Sequence, residues 1–260
     1  MSDDLTKLQE EIKRLHHRID LTQSMIDFAN EKEHRKQAIE LFSGTASFSK
    51  IALEVGYSVK TYDNCPSADE VFPSSHTTAD ILDRSIVYPR NPKVLWASPP
   101  CQAFSIASCY HHWNKEDGSP KSDSAELGIK ILTRTVELIK ELSPEYWFIE
   151  NPRGLMRKKI EQIFTDYRIK GKRETISYCQ YGDSRMKPTD IWTNLYQWTP
   201  RPICKNGDSC HESAPRGSKT GTQGLLNARE RSIIPPDLFR EIFISIASEK
   251  PVLWGGLFLS

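Results

Sequence analysis

The sequence has 260 residues, of which 38% are hydrophobic and 27% charged, with a formal net charge of +1 at pH 7. This length suits one substantial α/β domain with a small appendage and is too short for two large domains. A chain so close to neutrality can bind nucleic acid only through local basic patches. No stretch is apolar over the length of a bilayer and the N-terminus is acidic, so we expect no membrane partner and no signal peptide. The six cysteines lack the spacing of a disulfide scaffold, which predicts free thiols in a reducing cytoplasm.

Residues 2–36 contain neither Pro nor Gly, and their apolar positions keep a seven-residue register. An Ile-rich seam beside a Leu-containing seam favours a parallel two-stranded coiled coil, which predicts a homodimer through this segment. The alternative is a single amphipathic helix that packs on its own chain. The two seams are Leu5, Ile12, Ile19 and Ile26, and Leu8, Leu15, Thr22 and Ala29.

From residue 38 onward, short apolar strands alternate with helical patterns, which is typical of βαβ units. We therefore predict an α/β fold with a doubly wound, mostly parallel sheet. Its domain would span 38–194, followed by an irregular region at 195–232 and a C-terminal helix and tail at 233–260. The predicted strands are 37–42, 58–62, a short one ending near Asp80, 94–97 and 146–149, and the predicted helices are 48–55, 125–142 and 236–247.

The first candidate motif runs from Glu40 to Phe48, where a strand meets a turn of small residues and then a helix. Small residues let a ligand approach the backbone, and the helix N-terminus offers free N–H groups to a carboxylate. Asp63 ends the next strand, where an acidic residue can accept hydrogen bonds from a ribose. Asp80 follows in the same order along the chain.

The second motif places Cys101 directly after Pro99 and Pro100 at the end of a strand. Two prolines fix the backbone there, so the thiol is presented and not free to relax away. A lone cysteine is usually a small buried hydrophobic residue, but this position favours a nucleophile.

The third motif is a strand that ends in Glu150 and Asn151. The carboxyl ends of adjacent parallel strands meet, so we expect Glu150 to lie close to Cys101. Partial burial there would raise its pKa and make it a proton donor near neutral pH. The alternatives are a helix cap and a salt-bridge partner.

Together, Phe42-Ser-Gly44, Pro100-Cys101-Gln102 and Glu150-Asn151 resemble the ordered signature of the DNA cytosine-C5 methyltransferase family. The resemblance covers roughly residues 38–195. It implies a fold of the S-adenosylmethionine-dependent methyltransferase type, S-adenosylmethionine as methyl donor and duplex DNA as partner. It also implies that Cys101 attacks C6 of a flipped cytosine and that Glu150 protonates N3. By the same resemblance, the cofactor would contact Phe42, Gly44, Phe48, Asp63, Asp80, Ile81 and Pro100.

The sequence departs from the family pattern in its second half. The family's Gln-x-Arg-x-Arg run is replaced by a segment that contains Arg185 and Lys187, and the resemblance assigns Arg185, and less firmly Lys187, to the flipped nucleotide. Ser232 to Asp237 stands where the family has a closing Gly-Asn-Ser-Val. The loop 108–122 after the nucleophile, with Tyr110, Trp113 and Gly118, would be a mobile lid.

Only about residues 195–232 are available to recognise a target. The segment is basic and includes Trp198, which suits phosphate and base contacts, and a second basic cluster runs from Arg157 to Arg173. Either cluster could equally be a solvated face. Cys204, Cys210 and His211 lack the usual spacing of zinc ligands and an evident fourth partner, so we predict no metal site. The basic residues of the segment are Arg201, Lys205, Arg216, Lys219, Arg229 and Arg231.

Two other functions compete with a DNA methyltransferase. A tRNA-directed cytosine-C5 methyltransferase would share the same nucleophile run. A catalytically silent nucleic-acid-binding protein would explain the missing Gln, but an intact Cys101 and Glu150 argue against it. A zinc-dependent deaminase is excluded because the sequence has no His-x-Glu with a paired Cys-x-x-Cys.

Overall fold

The computed structural model describes residues 36–66, 75–106, 108–212 and 228–248, and six helical residues nearer the N-terminus. Most of the predicted heptad segment, part of the predicted recognition region (213–227) and the tail after 248 lie outside the described residues. The six N-terminal residues are exposed, with Ile12, Leu15 and Ile19 leaving 47%, 50% and 62% of their surface to solvent. These residues are Gln9, Ile12, Lys13, Leu15, His16 and Ile19.

Seven strands form one sheet in the order β3-β2-β1-β4-β5-β7-β6. The neighbouring pairs among the first five strands in this order are parallel, whereas β7 runs antiparallel to both β5 and β6. The predicted mostly parallel α/β sheet is therefore confirmed. The strands are β1 Gln37–Leu41, β2 Ser58–Asp63, β3 His76–Thr78, β4 Val94–Ala97, β5 Tyr146–Pro152, β6 Lys172–Ser177 and β7 Pro188–Thr193.

Helices cover both faces of this sheet. Their bounds are α1 Ser47–Glu54, α2 Cys109–His112, α3 Asp123–Leu142, α4 Met156–Tyr167, α5 Ala228–Ser232 and α6 Pro236–Ser248, and a 3₁₀ turn spans Tyr178–Tyr181. In the part of the chain that the structure describes, no helix has the length and apolar character needed to cross a membrane.

Successive strand side chains point to opposite faces, and both faces are apolar, as expected of a sheet covered on two sides. In β4, Leu95 and Ala97 join the core beneath α3 and α4, whereas Val94 and Trp96 join the core beneath α1 and α6. The sheet is thus doubly wound, as predicted, and the carboxyl ends of β1, β2, β4 and β5 are left to carry loops.

The start and end of α3 follow from two local signals. Ser122 Oγ accepts a hydrogen bond from Ala125 N at 3.2 Å, so the helix begins at Asp123, two residues before the predicted start. It ends at Leu142 because Ser143 adopts a left-handed conformation and Pro144 follows.

The C-terminal helix α6 returns to the start of the domain. The Phe48 ring packs within 5.6 Å of the Phe239 ring and 5.8 Å of the Trp96 ring, which joins α1, α6 and β4 in one aromatic core. Ahead of α6, Ile234 N donates to Ser47 Oγ at 3.3 Å. The segment before α6 is therefore held against the turn that follows β1.

A buried ion pair fixes α4 to the far side of the sheet. Asp190 of β7 is fully buried and accepts hydrogen bonds from the Arg157 guanidinium and from Thr175 Oγ1. We expect Asp190→Ala to lower the free energy of unfolding by about 3–5 kcal/mol, because the change leaves the Arg157 charge in a site built to neutralise it. Urea denaturation followed by circular dichroism measures this.

The matched control is Arg240→Ala, which removes exposed ion pairs with Asp237 and Glu54. Exposed pairs are screened by solvent, so this variant should unfold at the wild-type urea concentration. Equal stability of Asp190→Ala and wild type would contradict the structural role of the buried pair.

Candidate active site

A cavity of about 950 Å³ opens beyond the carboxyl ends of β1, β2, β4 and β5. Ligands of doubly wound folds bind at this edge of the sheet. Two residues predicted for the site do not line the cavity: Phe48 is buried in the aromatic core, and Arg185 lies elsewhere. The predicted residues that do line it are Phe42, Gly44, Asp63, Asp80, Ile81, Pro100, Cys101, Glu150 and Lys187.

The turn after β1 has a constrained backbone. Phe42, Gly44 and Ala46 all have positive φ angles, of 59°, 45° and 53°. Two of these are not glycine, and such conformations persist only where surrounding contacts enforce them. One such contact is the hydrogen bond from Gly44 N to Asp63 Oδ2 at 2.9 Å. Asp63 therefore shapes the turn as well as facing the cavity.

Glu40 holds the other end of the same turn. Its carboxylate accepts hydrogen bonds from Phe48 N at 3.3 Å and Ser49 N at 3.0 Å, and so satisfies the N-terminus of α1. Burial raises the pKa of Glu40 to about 7, although the bonds from Ser49 and Phe48 act in the opposite direction. This role of Glu40 was not predicted, although an acidic residue inside a buried strand is a visible signal.

The nucleophile candidate sits in a loop that is tied to the neighbouring strand. Asn151 Nδ2 donates to Pro99 O at 2.9 Å, so the residue after Glu150 fixes the position of the proline pair before Cys101. Phe104 N and Ser105 N each donate to Cys101 O at 3.0 Å and close a tight turn behind the thiol. The Glu-Asn pair thus supplies one group to the cavity and one anchor for the loop.

Glu150 lies at the inner wall of the cavity with 5% of its surface exposed. Ile149 lies opposite Ala97 in the parallel register, so Glu150 projects from the same sheet edge as the Cys101 loop. Tyr178 is fully buried, and its hydroxyl donates to Glu150 Oε1 at 2.9 Å. This bond orients the carboxyl group, and it was not predicted.

Arg185 and Lys187, the two residues predicted to bind the flipped nucleotide, have different surroundings. The Arg185 guanidinium pairs with Asp183 and donates to the carbonyls of Glu230, Arg231 and Ile233, so it anchors the segment before α6. Lys187 lines the cavity and donates from Nζ to Arg231 O at 2.9 Å. Lys187 is therefore the cation that shares the cavity with Cys101.

Several cavity residues were not predicted. Tyr62 and Tyr88 pack together with ring centroids 4.6 Å apart, and Arg231, Ser232 and Ile234 arrive from the segment held by Arg185. Because Tyr62 immediately precedes Asp63 at the end of β2, the presence of Tyr62 in the cavity wall could have been predicted. The C-terminal residues join through contacts that no local pattern reveals.

The loop after the nucleophile is anchored near its middle. Trp113 is 4% exposed, and its indole N–H donates to Ala103 O at 2.6 Å. Lys159 Nζ lies 4.5 Å from the Trp113 ring centroid and also donates to Gly118 O. Tyr110, by contrast, is 54% exposed on α2. The loop is therefore held to the body of the domain at Trp113 and at Gly118.

Several residues predicted to contact DNA phosphates or bases instead have partners within the fold. Trp198 is 1% exposed and donates to Glu241, and Arg201 pairs with the same carboxylate, so both stabilise the fold. Arg157 is bound to Asp190, as described above. Lys205 is exposed, whereas Arg216 and Lys219 lie outside the described residues.

The charges around Cys101 predict how its reactivity depends on pH. Burial raises the pKa of the Cys101 thiol above its usual value, Glu150 raises it further, and Lys187 lowers it. Below that pKa, the alkylation rate should rise about tenfold per pH unit because only the thiolate reacts. We expect Lys187→Met to slow alkylation at pH 8 about three- to tenfold and Glu150→Gln to accelerate it.

Iodoacetamide labelling followed by peptide mass spectrometry measures the rate at each cysteine, with the exposed Cys65 as internal reference. Identical Cys101 rates in the wild type and both variants would show that these charges do not control the thiol.

Comparison with known proteins places the chain among cytosine methylases. A model of the family "C-5 cytosine-specific DNA methylase" matches residues 36–173. A Frog virus 3 (isolate Goorha) protein named "Probable DNA (cytosine-5)-methyltransferase" is 31% identical over 225 residues, which cover 78% of this chain and 97% of that protein. The type II methyltransferase M.SacI of Streptomyces achromogenes is 27% identical over 127 residues, covering 46% and 31%. The solved structure of the S. pombe Dnmt2 methyltransferase aligns with a TM-score of 0.41 at 16% identity, covering 64% and 56%.

Proposed function

Because this chain belongs to the C-5 cytosine-specific DNA methylase family, we propose that it transfers a methyl group from S-adenosylmethionine to C5 of cytosine in DNA. The observation that carries the proposal is that Cys101 and Glu150 line the same cavity, each near the carboxyl end of one of two neighbouring strands. The turn after β1, which is bonded to Asp63 through Gly44, lines that cavity too. The family match spans both residues. A thiol, an acid and a ligand-binding turn in one cavity are what this reaction requires.

The cavity suits S-adenosylmethionine by the chemistry of its walls. Ser43 Oγ and Tyr88 OH are buried and have no hydrogen-bond partner among the described residues, although both side chains belong to the cavity wall. Buried polar groups are normally satisfied, so these two fit a polar ligand. Asp63 would accept from the ribose, and Phe42 and Ile81 would pack against the adenine. When bound, this group supplies the electrophilic methyl.

The chain's own residues activate the cytosine. C5 is a weak nucleophile, so the Cys101 thiolate first forms a bond to C6, and the electron pair of the C5–C6 double bond becomes available at C5. Glu150 protonates N3 and offsets the charge that the thiolate brings. After C5 has formed its bond to the methyl group, N3 returns its proton to Glu150, water takes the C5 proton, and the electron pair of the C5–H bond re-forms the C5–C6 double bond as Cys101 leaves as a thiolate. Tyr178 holds Glu150 for this transfer.

The target base has to leave the helix to reach these groups. Glu150 is 5% exposed at the inner wall of the cavity, and a cytosine stacked in a duplex cannot contact it. We therefore propose that the enzyme flips the base into the cavity, with Lys187 near its phosphate or sugar edge. The exposed part of the loop 108–122, around Tyr110, would close behind it.

DNA is favoured over tRNA as the substrate because the family that matches the chain is a DNA methylase family. A silent binding protein is disfavoured because Cys101 and Glu150 both line the cavity. The test is incubation with tritiated S-adenosylmethionine and either duplex DNA or tRNA. We expect label in DNA at cytosine C5, identified after nucleoside digestion. Label only in tRNA, or in neither substrate, would overturn the proposal.

We also propose that residues 2–36 pair two copies of the chain. The support is the seven-residue register of the sequence and the exposure of Ile12, Leu15 and Ile19. Two copies would supply DNA contacts from two compact recognition segments. Light scattering after size exclusion should give a dimer mass for the full chain and a monomer mass for a chain that begins at residue 36.

A further inference from the structure

Four metal-ligating side chains converge at a cluster whose members do not line the cavity. Cys179, Cys204, Cys210 and His211 each offer one ligand atom, and these four atoms all lie within 4.8 Å of one another. Cys179 supplies the fourth ligand that the sequence analysis lacked. It follows Tyr178 in the 3₁₀ turn after β6, 25 residues before Cys204, so spacing gave no signal for it.

The geometry is close to that of a tetrahedral metal site. Cys179 Sγ lies 3.2 Å from Cys204 Sγ and 3.6 Å from Cys210 Sγ. His211 Nδ1 lies 3.8 Å from Cys204 Sγ and 3.7 Å from Cys210 Sγ. With metal–sulfur bonds of about 2.3 Å, neighbouring ligand atoms of a tetrahedron are about 3.7 Å apart. A metal ion fits between these four atoms with little movement.

The donor set selects the metal. Three thiolates and one imidazole in a tetrahedral arrangement are a common structural zinc set, whereas magnesium and calcium prefer oxygen ligands. Binding would release the three thiol protons to solvent and leave a site with a formal charge of −1. Gln180 Nε2 lies 3.2 Å from Cys210 Sγ and can donate to that thiolate. We infer that Cys179, Cys204, Cys210 and His211 form a structural zinc site.

The segment that carries three of the four zinc ligands has almost no apolar core of its own. Residues 201–212 form neither helix nor strand, and Cys204 is the only fully buried side chain among them. A short segment without an apolar core is typically stabilised by a metal or a disulfide. Here the metal would join this segment to the turn that carries Tyr178, the hydrogen-bond partner of Glu150.

The zinc site would therefore join the 3₁₀ turn Tyr178–Tyr181 to the segment 201–212. On one side it fixes the 3₁₀ turn beside the catalytic cavity. On the other it fixes the chain at residue 212, where the remainder of the predicted recognition region begins. This second role rests on the proposed function, whereas metal binding itself does not.

The primary test is the metal content of the full-length protein, purified without chelator in a reducing buffer, by mass spectrometry of the elements. We expect about one zinc per chain. Cys204→Ser should lose the metal, and Cys65→Ser, which changes an exposed cysteine elsewhere, should keep it. Zinc below about a tenth of an equivalent after zinc is added back, or full retention in Cys204→Ser, would overturn the inference.

A second pair of variants keeps the test decisive if Cys204→Ser fails to fold. His211→Ala should weaken zinc binding at least about 100-fold in competition with a chromogenic chelator, and His211→Cys should restore it. Cobalt substitution of the wild type should give the visible absorption of a tetrahedral thiolate site. A Cys179–Cys204 disulfide in protein freshly purified in reducing buffer, located by peptide mass spectrometry without further reduction, would instead contradict a metal site. Because these readouts do not use methyl transfer, an inactive protein that holds zinc would overturn only the proposed reaction.

Discussion

Cys101→Ala should reduce methyl transfer to DNA by about 10³-fold or more, because Cys101 is the only thiol among the described residues that line the cavity. The side chain is partly exposed in the cavity and makes no hydrogen bond that holds the fold, so the variant should remain folded. Tritium transfer to duplex DNA under single-turnover conditions measures the effect. Trapping on an oligonucleotide that contains 5-fluorocytosine should give a covalent complex with the wild type and none with Cys101→Ala.

The matched control is Cys109→Ala, which alters another free cysteine in the loop that follows Cys101. It should retain most of the activity and form the trapped complex. Transfer that survives in Cys101→Ala at the wild-type rate would exclude the covalent mechanism, even if the DNA product is correct.

Glu150→Gln should reduce the transfer rate about 10²–10⁴-fold, the usual range for a lost general acid. The amide can still accept the hydrogen bond from Tyr178, so the local structure should persist. The loss should fall on the rate constant of the bound complex more than on DNA affinity, which separates proton donation from binding. Single-turnover rates at saturating DNA, with affinities from fluorescence anisotropy, make this distinction.

Tyr178→Phe should lower the transfer rate less than Glu150→Gln does. It removes the hydroxyl that orients Glu150 and should reduce the transfer rate about tenfold, because a misoriented carboxyl group can still donate a proton from a less favourable position. A rate for Glu150→Gln within twofold of wild type would mean that another group protonates N3.

Much of the central sheet could be predicted from local pattern. Val94–Ala97 was predicted with its observed bounds, because a continuous apolar run ends at Ser98 and two prolines. The residues that follow parallel strand ends were also predicted to meet, since chain direction alone places Cys101 and Glu150 at one edge. These inferences needed no long-range information.

The remaining features depend on contacts between distant segments. Phe48 resembles a cofactor residue in sequence, but it packs between Trp96 and Phe239, and nothing near residue 48 reveals α6. Arg185 and Lys187 are only two residues apart, but Lys187 lines the cavity whereas Arg185 binds carbonyl groups of the segment before α6, some 45 residues further along the chain. Cys179 was overlooked for the same reason, because the fold brings it to ligands that lie far along the chain.

The closing of the cavity by residues 231–234 has a consequence for biosynthesis. Ile234 N binds Ser47 Oγ across 187 residues, and Arg240 of α6 reaches Glu54 of α1 across 186. The strands β1 to β5 emerge from the ribosome well before α6, so until α6 emerges the Phe48 ring lacks its Phe239 partner and the cavity lacks the wall formed by Arg231, Ser232 and Ile234. Such late, long-range closure slows folding and leaves apolar surface uncovered during synthesis. The cavity wall at Arg231, Ser232 and Ile234 is thus completed only after nearly the whole domain has been synthesised.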